Sequence, residues 1–105
     1  MPEALVIVKN VLDLEARKGY QNTAVAGGME NFISFFNQKS SIEQISSEDR
    51  EILIFFFKSY SSYSHNKRKE IIDELLGWIE KVLDGRNFPL EKFLHKIKRD
   101  DIPAI

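Results

Sequence analysis

The chain has 105 residues, 43% hydrophobic and 30% charged, with a formal net charge of −1. That supports one globular domain with a modest core, excludes a complete nucleotide-driven motor, and gives no overall nucleic-acid signature. The absence of cysteine excludes disulfides, thiolate zinc sites and cysteine nucleophiles. Charge is slightly uneven: residues 1–52 hold five Lys/Arg against eight Asp/Glu, and residues 53–105 hold ten against eight. Glu3, Asp13 and Glu15, with no basic start, argue against a secretory signal. The longest apolar run, ILIFFF at 52–57, is far short of the roughly 20 residues of a membrane helix. We expect a cytoplasmic chain with no membrane partner.

The first predicted helix spans about Pro2 to Lys18. Pro2 suits a first turn, where its missing N–H is not needed. Leu5, Val8, Leu12 and Glu15 lie along one side, and Ile7, Val11 and Leu14 widen the apolar face. Gly19 follows Arg17 and Lys18 where a left-handed C-terminal residue belongs. A second helix starts near Asn22 or Thr23, both good N-caps. Val25, Met29, Phe32 and Phe36 define its face, although Gly27 and Gly28 interrupt it. Each of those glycines costs roughly 1 kcal/mol relative to alanine, and close packing against a neighbouring helix is the role expected of them.

A serine-rich loop runs from about Asn37 to Ser47, with Ile42 and Ile45 tucked onto the core. Ser46 followed by Asp49 resembles a capping box and opens a third helix. Ile52, Phe55, Phe56 and Tyr60 are expected to face inward, leaving Phe57 and Tyr63 as the exposable aromatics. A fourth helix from about Asn66 to Asp84 has the clearest period: Ile71, Ile72, Leu75, Leu76, Ile79, Val82 and Leu83, with Gly85 as its stop. A fifth, shorter helix follows Pro89, with Leu90, Phe93, Leu94 and Ile97 on its apolar side. The architecture expected is all-α, a compact bundle of four to five helices without a sheet, forming a single helical domain over 1–105.

Catalytic and metal signatures are missing. His65 and His95 lie near different helix ends and outside any HExxH pattern. The neighbouring acids Asp73–Glu74 and Asp100–Asp101 do not face each other on a helix. No serine stands in GxSxG, and Gly27–Gly28 is not followed by the Lys-Ser or Lys-Thr of a phosphate-binding loop. We therefore expect no catalytic residue, no metal and no cofactor in this segment. Two basic clusters offer phosphate contacts: Lys67, Arg68 and Lys69 at a helix start, and Lys92, Lys96 and Arg99, with Lys98 beside them. A solvated helix surface is the plainer reading of both. Trp78 lies off the main stripe of the fourth helix and marks either a docking surface or a ring packed beneath the fifth helix.

VLDLEARKGYQNTAVAGGMENFI, residues 11–33, resembles the helical segment at the N-terminus of RecG, the bacterial ATP-dependent DNA helicase family. The resemblance is carried by Leu14-Glu15, Lys18-Gly19-Tyr20, Ala24-Val25-Ala26-Gly27-Gly28 and Met29. SYSSYSHNKRKEIIDELLGWI, from Ser59, is similar to the family's later Tyr-loop-Arg-helix segment, more loosely. The resemblance implies a role in replication-fork and Holliday-junction remodelling, in DNA repair and recombination. It implies a non-catalytic segment of a longer helicase chain, with the wedge and motor domains as partners and branched DNA as a possible one. ATP and Mg would belong to the motor domains, which this sequence does not contain. A self-contained helical interaction module, with homodimerisation as one form of it, using Trp78 or exposed aromatics, is the alternative reading.

Overall fold

In the computed structural model the described residues are 3–25, 45–86 and 89–93, with side chains from Leu5 onward. The all-α expectation holds. Four α-helices and one 3-10 turn form a compact globule, and no strand occurs among the described residues. Helix α1 is Glu3–Arg17 and α2 is Ser47–Ser59. The 3-10 turn is Tyr60–Ser62, α3 is His65–Leu83 and α4 is Leu90–Phe93. Helix α1 packs on α3, and α4 packs against both α3 and α2.

The apolar stripe of α1 follows its sequence period. Leu5, Val8 and Leu12 are fully buried, while Ile7 and Leu14, set to widen that face, remain 37% and 39% exposed. Full burial of an aliphatic side chain contributes about 1.5–3 kcal/mol, so these three residues fix which side of α1 meets α3. The helix stops at a Schellman motif. Gly19 N–H donates to Ala16 O at 3.1 Å and Tyr20 N–H to Glu15 O at 3.0 Å, with Gly19 at φ 74°.

Helix α2 starts at Ser46, whose Oγ accepts from Asp49 N–H at 3.1 Å. Only half of the expected capping box forms. The Asp49 carboxylate accepts instead from Leu90 N–H at 2.9 Å and so ties the start of α4 to the first turn of α2. Leu53, Phe56 and Phe57 face the core from α2, so Phe57 is not the exposed aromatic expected. Tyr63 is also buried, and its ring stacks on Phe56 at 6.3 Å. The chain rises to a tight 3-10 turn after Ser59, and this brings Tyr60 and Tyr63 back over Phe56.

Helix α3 is capped by Ser64, whose Oγ accepts from Lys67 N–H at 3.2 Å. Ile71, Ile72, Leu75, Trp78, Ile79 and Val82 are its buried residues. A second Schellman motif ends it: Gly85 N–H donates to Val82 O and Arg86 N–H to Lys81 O, with Gly85 at φ 82°. Ile45 is buried beside the core as expected. Gly27, Gly28, Met29, Phe32, Phe36, Ile42, Leu94 and Ile97 lie outside the described residues.

Candidate functional site

Among the described residues, the most densely bonded polar group is the carboxylate of Glu15, which is fully buried near the end of α1. It continues the Leu5, Val8, Leu12 stripe and therefore points inward with it. The Schellman reversal at Gly19 and Tyr20 then leads residues 22–24 back over the carboxylate. Oε2 accepts from Asn22 N–H at 2.5 Å and from the Tyr60 hydroxyl at 2.6 Å. Oε1 accepts from Thr23 N–H and Ala24 N–H, both at 3.1 Å, and from Thr23 Oγ1 at 3.4 Å. Helical backbone begins at Ala24. The helical backbone at Ala24 and Val25 thus takes its capping acceptor from α1, whereas the side chain of Asn22 or Thr23 is the expected cap. A carboxylate is well suited to the task, because the first amides of a helix are unpaired donors at the positive end of its dipole.

The outer wall of this joint comes from α3. Arg68 donates from Nε to Tyr20 O and from Nη1 to Tyr63 O, both at 2.8 Å. His65 Nε2 lies 2.8 Å from Gly19 O. A carbonyl only accepts, so Nε2 carries the hydrogen. The Tyr20 ring meets His65 edge-on at 5.8 Å, and its hydroxyl donates to Asp73 at 3.4 Å.

Electrostatics follow this geometry. Burial pushes the Glu15 carboxyl up, but the bonds from Tyr60, Ala24, Asn22 and Thr23 outweigh it and hold the group below the ordinary glutamate value. Burial, then the hydrogen bond and charge of Glu15, drive the Tyr60 phenol far up, so it stays a donor. Burial and the Asp73 carboxylate raise the Tyr20 phenol. This is a structural joint made of hydrogen bonds. Among the described residues no three His, Asp or Glu side chains converge to hold a metal ion.

The candidate phosphate contacts separate. Arg68 is corrected: its guanidinium is committed to two backbone carbonyls and lies 5.8 Å from the Tyr60 ring centre. Its place in a helix first turn, unfavourable to the dipole, is explained by that backward reach. Lys67 pairs with Glu70 at 3.2 Å. Lys69 and Lys92 are exposed, on α3 and α4 respectively. Lys96, Lys98, Arg99 and His95 lie outside the described residues. Trp78 as a docking surface is also corrected: it is 1% exposed, in the core with Leu75, Ile79 and Val82. The α3 stripe is simply wider than the strict period, since Trp78 sits three residues beyond Leu75.

Sequence reasoning placed Glu15 on the apolar side of α1 without assigning it a role. The usable signal was an acid completing a 5, 8, 12, 15 stripe, with left-handed and cap-forming residues close behind it. Comparison of the chain with protein-family models, curated proteins and solved structures gives no match. No helix among the described residues is long and apolar enough to cross a membrane.

Proposed function

We propose that this chain is a non-catalytic N-terminal helical domain of a RecG-like ATP-dependent DNA helicase. It acts as a cytoplasmic accessory module in replication-fork and Holliday-junction remodelling. The observation that carries this reading is the ordered pattern Leu14-Glu15, Lys18-Gly19-Tyr20, Ala24-Val25 within residues 11–33. The roles of these positions support treating the pattern as a unit. Glu15 binds the amides of residues 22–24, Gly19 takes a left-handed turn, Tyr20 is held by Arg68, and Val25 is fully buried. Together they specify the reversal that closes the end of α1.

Of the two accessory roles, docking on the wedge or motor is favoured over DNA holding. Arg68 is engaged internally and Lys67 is paired with an acid, so the first basic cluster presents less charge than its sequence suggests. The self-contained module is less favoured, because Trp78, Phe57 and Tyr63 are all buried.

The test has two parts. Sequencing the gene beyond the Ile105 codon should reveal helicase motifs in the same frame, and a stop codon there would overturn the assignment. Titrating the chain with forked DNA at low salt separates the roles. Docking predicts no binding. Salt-sensitive binding weakened by replacing Lys69 and Lys92 would favour DNA holding.

A further inference from the structure

The turn after α1 is held closed at a conformational cost. Tyr20 and Asn22 both occupy the left-handed region, at φ 61° and 63°. Asparagine enters this region comparatively easily, whereas tyrosine does so only when its surroundings impose it. Asn22 Oδ1 is buried without a hydrogen-bond partner, so hydration would favour release of the turn. Against these stands the Glu15 carboxylate, which gathers three consecutive amides and the Tyr60 hydroxyl. Three of the groups facing it are backbone amides, which only donate, and the Tyr60 and Thr23 hydroxyls donate to it as well. A protonated carboxyl loses acceptor capacity where all of it is used, and its own hydrogen can be taken only by a hydroxyl that turns round to accept it.

We propose that residues 22–24 form an acid-released latch: protonation of Glu15 frees these amides and the Tyr60 hydroxyl from the carboxylate while α1 stays packed on α3. The release is local because the contact of α1 with α3 runs through aliphatic side chains. Leu5, Val8 and Leu12 belong to the same buried cluster as Ile71, Ile72 and Leu75, and none of them depends on the carboxylate.

The titratable and charged groups that meet this turn, among the described residues, are Tyr60 from the 3-10 turn, Tyr20 beside the latch, and His65, Arg68 and Asp73 from α3. Arg68 and His65 donate to the carbonyls of Tyr20 and Gly19, away from the Glu15 carboxylate. Asp73 meets the turn through the Tyr20 hydroxyl, at 3.4 Å. Glu15 is the group that accepts from the amides of residues 22–24.

Amide hydrogen exchange on the 105-residue chain tests the latch. In Glu15→Gln near neutral pH, amides 22–24 should exchange at least about tenfold faster than in the parent, with Ile72, Leu75 and Ile79 unchanged. The parent, acidified stepwise from about pH 7 through the lowered titration of Glu15, should show the same selective loss. Asp73→Asn should leave amides 22–24 protected at neutral pH. Equal acceleration in α3, no acceleration at 22–24, or failure of Glu15→Gln to fold would each overturn the latch, since each makes Glu15 either irrelevant or global. Tyr60→Phe gives an independent reading: the acid midpoint for release of amides 22–24 should move to higher pH, and an unmoved midpoint counts against the latch.

Discussion

Replacing Tyr60 with phenylalanine isolates a single hydrogen bond. The hydroxyl lies 2.6 Å from Glu15 Oε2, and both residues are fully buried. A hydrogen bond to an ionised partner contributes about 1.5–3 kcal/mol. The aromatic packing survives the change, because the ring contacts with Phe56, at 5.3 Å between centroids, do not involve the oxygen. Glu15 also keeps its three amide donors. We therefore expect a loss of about 2 kcal/mol near neutral pH.

The pH dependence sharpens this prediction. The folded-state pKa of Glu15 is lowered, so its stabilising contribution is complete above the unfolded value and is lost as pH falls through the folded one. Removing the phenol takes away one of the bonds that lower it, so the variant's value moves up and its acid loss begins at higher pH. Below both values the acceptor is protonated in either chain, and the difference between them should shrink. Urea unfolding followed by the fluorescence of Trp78, the one tryptophan, measures the effect at about pH 7 and along a descending acid series. A difference that does not shrink along that series, or that is below about 0.5 kcal/mol at neutral pH, would refute the reasoning.

Three further outcomes follow from local geometry. Gly77 lies inside α3, and a Cβ built there meets nothing within 4 Å; Gly77→Ala should stabilise by up to about 1 kcal/mol, read as a raised melting temperature. Gly19 sits at φ 74°, so Gly19→Ala should destabilise by about 1–2 kcal/mol in urea, although the added carbon meets only Gln21 Nε2 at 3.8 Å. Asp49→Ala strands the Leu90 amide, whose burial makes it costly to leave unpaired; we expect a loss of about 1–3 kcal/mol and faster exchange of that amide.

The helices were legible because burial repeats on their period. Leu5, Val8 and Leu12, or Ile72, Leu75 and Ile79, need only the local geometry of one helix to be placed. The stops at Gly19 and Gly85 were legible for a related reason, since a glycine beyond a periodic segment is the residue that turns left-handed most easily. What escaped was decided by approach between segments. Phe57 and Tyr63 looked exposable on an isolated helix and became buried once the 3-10 turn folded the tyrosines over Phe56. Trp78 looked peripheral on the strict period of α3, yet it lies in the core with Leu75, Ile79 and Val82. Arg68 read as a surface cation, because nothing in its own neighbourhood announces that the carbonyls of Tyr20 and Tyr63 will arrive within 2.8 Å. Glu15 was placed on the correct side of α1, but its partners come from up to 45 residues away.

Glu15 and Asp49 share a property that reaches beyond their individual bonds. Each is a buried acid that accepts from backbone amides where a later stretch of helix begins, at Ala24 and at Leu90. Helix beginnings attract free anions from solution, and such anions leave again on dilution or when competing salt is added. Here the chain carries its own tethered counter-ions, whose local concentration is set by covalent connection. Enclosed charges are also screened far less than exposed ones. The two helix starts should therefore stay occupied across the ionic strengths at which a surface phosphate would exchange away.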